Sequence, residues 1–100
     1  MPNYVFTYRT RDDYVPSDDT AKAWDSFFQG IGDHIVTLGN PTFTRRSLGA
    51  DAGTTVLGGY SIIEAEDLDA AVALASACPT LSRGGGVEVG EITVLDPSAA

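Results

Sequence analysis

Residues 58–89, GGYSIIEAEDLDAAVALASACPTLSRGGGVEV, constrain the fold of this chain more than any other stretch. The β-branched pair Ile62 and Ile63 gives way to the acids Glu64, Glu66 and Asp67, and then to a run of small apolar residues. Asp67 offers a side-chain oxygen to the unpaired amides that begin a helix, and its charge suits the positive end of the helix dipole. Leu68, Ala71, Val72, Ala75 and Cys78 recur at helical spacing and predict one buried face. Pro79 stops the helix because it has no amide hydrogen to continue the ladder. Gly84, Gly85 and Gly86 let the chain turn without a side-chain penalty. The stretch therefore reads as a strand over 59–65, a helix, and a last strand over 87–95.

The first half has a matching rhythm. Residues 4–8 alternate among aromatic and β-branched types, which suits a strand. Residues 9–16 are polar and end in proline, as a loop would. Ser17, Asp18 and Asp19 then start a helix whose Trp24, Phe27, Phe28 and Ile31 make one apolar face. Gly30 and Gly32 weaken its end, placed near Asp33. A second strand over 34–38 is turned by Gly39, Asn40 and Pro41, and residues 43–55 read as a hairpin excursion or loop. The order βαββαβ predicts an α+β, ferredoxin-like domain, a four-stranded antiparallel sheet with both helices on one face. One domain over residues 1–100 is expected, with 96–100 as a frayed tail. The uncovered sheet face predicts a homodimer in which two subunits meet sheet to sheet.

Charge and cysteine usage exclude several functions. Fourteen acids against six bases give a formal net charge of −8, which repels nucleic acid and acidic membrane surfaces. No run approaches the ~20 apolar residues of a membrane helix, so the expected setting is the cytoplasm. Cys78 is the only cysteine and His34 the only histidine, so neither a disulfide within the chain nor a transition-metal site is expected. Nothing calls for an organic cofactor.

From Gly58 onward the chain resembles the YCII-related domain family. The likeness is carried by residues 59–65 (GYSIIEA), 67–71 (DLDAA), Cys78-Pro79 and 85–89 (GGVEV), with a second patch at 38–41 (LGNP). The resemblance implies a small dimeric α/β barrel of ferredoxin-like type. Many relatives carry an Asp-Gly-Pro-Phe tetrapeptide before the third strand, and some a histidine in the first helix; this chain has neither. Lactone isomerisation and dehalogenation of small cyclic acids, roles proposed for such relatives, therefore do not transfer with the fold.

Candidate residues follow from residue type and topology. His34 is the first candidate for a general base, although its place near a helix end also suits capping of carbonyls. Glu88 alternates with Val87 and Val89, so if the valines face the helices it lies inside the dimer barrel as an acid–base group or an anchor between subunits. Cys78 reads as a buried core thiol, and the triple glycine as a turn rather than a phosphate loop. The topology gathers Arg9, Arg11, Arg45, Arg46 and Arg83 at one end of the sheet, near the start of the first helix. A small anionic metabolite there would be held by Tyr8, Arg9, Arg45, Arg46 and Tyr60, with Asn40 beside them. The same arginines pairing with nearby aspartates as surface ion pairs is the plain alternative. Three functions stay open: a binding protein, an enzyme of isomerisation or elimination on a small cyclic or unsaturated acid, and a non-catalytic accessory subunit.

Overall fold

Alternation along the first strand sets the architecture. In the structure, a computed structural model describing residues 1–50 and 53–95, β1 runs Asn3–Arg11 and turns Tyr4, Phe6, Tyr8 and Thr10 inward. It continues three residues past the expected strand, so the loop begins later. The reason is partnership: β3 (Thr55–Glu64) starts earlier than predicted, and Arg9, Thr10 and Arg11 pair with Leu57, Val56 and Thr55.

The first helix, α1 (Asp18–Gly30), begins where its cap predicts. The Ser17 hydroxyl accepts from the Thr20 amide at 3.2 Å, and the Ser17 amide donates to the Thr20 hydroxyl at 2.7 Å. Each bond satisfies an amide that the helix leaves unpaired. The helix ends at Gly30, and a 3-10 turn over Gly32–His34 leads into a short β2 (Ile35–Thr37). Between β2 and β3 the described residues form no helix or strand, and an isolated bridge joins Pro41 to Gly59.

The second helix, α2 (Leu68–Ala75), is capped by Asp67, whose carboxylate accepts from the Ala70 amide at 2.8 Å. Its buried face differs from the expected one. Ala71, Ala75 and the following Cys78 are buried, whereas Leu68 and Val72 are about half exposed (50% and 48%). The helix is rolled so that Ala70 and Leu74 flank the buried line, which leaves Leu68 and Val72 on the outer side. Pro79 opens a second 3-10 turn, Pro79–Ser82. The last strand, β4 (Gly86–Glu91), is shorter than predicted because β1 runs out of partners: the Ile92 amide still donates to the Asn3 carbonyl, beyond which the ladder stops.

The sheet order is β2-β3-β1-β4, and every neighbouring pair is antiparallel. Each helix thus crosses over one intervening strand, the split βαβ arrangement of an α+β ferredoxin-like fold. Tyr4, Phe6, Tyr8 and Ile63 pack with Phe27 of α1, Ile31 just beyond it, and Ala71 and Ala75 of α2, so both helices cover the same face. Full burial of each large side chain here contributes roughly 1.5–3 kcal/mol. Register places Val5, Thr7, Arg9, Leu57, Tyr60, Ile62 and Glu88 on the opposite face. That face mixes apolar and polar groups and has no layer over it among the described residues. Residues 96–100, expected to fray, lie outside the described residues.

Candidate functional site

At the end of the sheet where β1 leads toward α1, the two layers part. Deeper in the core, aromatic rings fill the gap: Tyr8 meets Trp24 edge-on with centroids 4.8 Å apart, and Trp24 stacks on Phe28 at 5.5 Å. One turn nearer the helix start, α1 presents only Thr20 and Ala21, and β3 presents Gly58 and Gly59 across from them. Small residues on both layers leave a cavity of about 290 Å³.

The glycine pair is what lets the walls come together. β3 carries an extra residue there, since Tyr8 pairs with Gly59 but Arg9 pairs with Leu57. A side chain at Gly58 would lie 2.7 Å from the Thr10 methyl carbon. Gly59 has φ 153°, and a Cβ there would approach the Asn40 carbonyl oxygen to 2.9 Å. The segment after β2 is laced onto this bulge. The Tyr60 amide donates to the Asn40 carbonyl, the Thr42 amide to the Gly58 carbonyl, and the Thr42 hydroxyl to the Leu57 carbonyl at 2.6 Å.

The cavity lining is aromatic and uncharged. Tyr8, Tyr14, Trp24, Phe28 and Phe43 supply its rings, and no described lining residue is Asp, Glu, His, Cys, Lys or Arg. Two polar features stand in this apolar wall. Tyr8 donates to the Ser61 hydroxyl at 2.8 Å, which donates to the Leu38 carbonyl at 2.6 Å. Burial pushes the Tyr8 phenol up to about 12, with the Ser61 hydrogen bond opposing the rise, so the phenol stays protonated at neutral pH. Thr10 is 8% exposed, and its hydroxyl oxygen is buried with no hydrogen-bond partner among the described residues. Such a group costs about 1–3 kcal/mol.

Of the residues expected to form a site, Tyr8 and Asn40 line this cavity, and Tyr60 borders it although register turns its side chain to the opposite sheet face. Arg9, Arg45 and Arg46 are not among its lining residues. Arg9 lies on the opposite sheet face and donates to the Thr55 carbonyl at 2.9 Å. Arg45 donates to the Thr42 and Leu57 carbonyls, holding the excursion to β3, and Arg46 is exposed. The expected arginine–aspartate pairing occurs at Arg11 and Asp13, 2.9 Å apart, and it holds the Asp13 carboxyl below its ordinary range.

The acid–base candidates lie elsewhere. His34 Nδ1 is 3.1 Å from the Glu64 carbonyl oxygen, which can only accept, so that nitrogen carries the proton. Val87 and Val89 pack against the core, and Glu88 projects, exposed, from the opposite face. Cys78 is buried 3.1 Å from the Thr80 hydroxyl, and burial pushes its thiol up, as suits a core residue. Among the described residues no three His, Cys, Asp or Glu side chains could together hold a metal ion, and no helix is long and apolar enough to cross a membrane.

Sequence reasoning missed Thr10, Trp24, Phe28 and the glycine pair as site residues. The available signal was Gly58-Gly59 inside a strand pattern, because interior strand glycines mark bulges and close approaches. Comparison with curated proteins finds no match. A family model matches residues 32–96, leaving β1 and α1, which supply Tyr8, Thr10 and Trp24, outside the matched segment. With about two thirds of its length matched, and with an α+β ferredoxin-like fold, the chain belongs to the YCII-related domain family.

Proposed function

We propose that this protein binds a small, mainly apolar molecule in the cavity between α1 and the β1–β3 bulge, and that it acts as a homodimer. The observation that carries this reading is the cavity of about 290 Å³ itself, walled by aromatic side chains and, among the described residues, by no charged group. An apolar cavity of about 150 Å³ accommodates benzene. About 290 Å³ therefore suits a ring with a short chain. The reading keeps the small-molecule ligand expected from the sequence and changes its body from anionic to apolar, because Arg9, Arg45 and Arg46 are absent from the lining. Proton-transfer chemistry in the cavity would fall to its tyrosines, and the Tyr8 phenol is held too far above neutrality to serve as a base. A cytoplasmic setting fits the lone, buried Cys78.

Trp24 is the only tryptophan and lines the cavity, so its emission reports occupancy. A screen of small aromatic and alicyclic compounds should yield ligands that change Trp24 emission and raise the unfolding temperature. Saturable binding that leaves Trp24 unaffected, or no binding across the screen, would remove the reading.

A further inference from the structure

We propose that the ligand carries an anionic head, and that the head enters a second, smaller cavity to meet Arg83. This rests on the binding reading above and adds the charge and orientation of the ligand. The smaller cavity, about 70 Å³, shares Thr10, Tyr14 and Trp24 with the larger one, so the two adjoin at these residues. Roughly 10–15 Å³ of such space admits one water, so the smaller cavity has room for a carboxylate.

The charges on the two sides differ. The larger cavity has no charged lining residue among those described, whereas the smaller is lined by Arg11, Asp13 and Arg83. Arg11 is committed to Asp13 through two bonds of 2.9 and 3.0 Å, which cancels that acid. The Arg83 guanidinium has no hydrogen-bond or ion-pair partner among the described residues. One cation without a described partner, the exposed Arg83, therefore borders the smaller space. A molecule with an apolar ring in the larger cavity and a carboxylate in the smaller would match the aromatic lining of the one and Arg83 of the other. Arg83 follows the 3-10 turn Pro79–Ser82, far in sequence from the arginines singled out as an anion clamp.

The test compares 3-phenylpropanoate with its neutral isostere 3-phenylpropanamide by calorimetry on the full chain, in the wild type, Arg83→Gln and Arg83→Lys. The acid should bind roughly fivefold more tightly than the amide, the scale of one partly exposed charge pair. Arg83→Gln should erase that preference and leave amide affinity within about twofold, whereas Arg83→Lys should keep part of it. Equal binding of acid and amide, or a preference that survives Arg83→Gln, would overturn the Arg83 assignment while leaving the cavity reading intact. Failure of both compounds to bind the wild type would count against both readings.

Discussion

Thr10 makes the first prediction. Its hydroxyl is buried without a described partner, so the isosteric Thr10→Val should stabilise the free protein by about 1 kcal/mol. Urea unfolding checks this; a Val variant that is less stable would show that the hydroxyl is satisfied in solution. Tyr8 makes a second prediction. Its folded value, about 12, lies above the ordinary 10. Below pH 10 the phenol is protonated in both folded and unfolded chains, so its contribution to stability is fully present. As pH rises from 10 through 12 the unfolded chain releases the proton first, and stability falls. Tyr8→Phe should remove that component of the alkaline loss and one late-titrating phenol from the ultraviolet titration. An unchanged alkaline profile in the variant would refute the assignment. Tyr8 was legible as a strand position, but the missing partner of Thr10 was not, since it depends on what β3 brings beside it.

The elements themselves were largely readable because their signals are local. Ser17 and Asp67 mark helix starts through bonds to amides three residues on, whereas α2 already ends at Ala75 and Pro79, read as its stop, opens the next 3-10 turn. Ser17→Ala should therefore cost about 0.5–2 kcal/mol by chemical denaturation, with the loss expressed in α1, which forms one cavity wall. A change below the error of the measurement would mean the cap is frayed in solution. Strand ends were less readable because they depend on partners. β1 and β3 extend each other toward Arg11 and Thr55, and β4 stops where β1 does. The rolled α2 face is a similar case: Leu68 has the right spacing, but the position of the sheet edge decides which side of the helix is buried.

The whole molecule is a thin two-layer body, 21 Å in its shortest dimension, with one sheet face bare among the described residues. Its radius of gyration, 14.2 Å, exceeds the ~13 Å of a compact 100-residue domain. Both features accord with a subunit completed by a second copy. Sedimentation at micromolar concentration should give twice the 10.5 kDa chain mass, and Ile62→Lys, on the bare face, should give a folded monomer. A wild-type monomer would end the dimer proposal. By itself the sequence determined the element order, the helix caps, the family and the acid excess, because each rests on neighbouring residues or on composition. Only the tertiary structure decided where a ligand could sit. Thr10, Trp24, Phe43 and Gly58 come from four separate parts of the chain, and the space they line exists only because small residues on α1 and β3 meet across the layers. Residues 58–89 thus specify the fold, while the cavity depends on β1 and α1 folding over it.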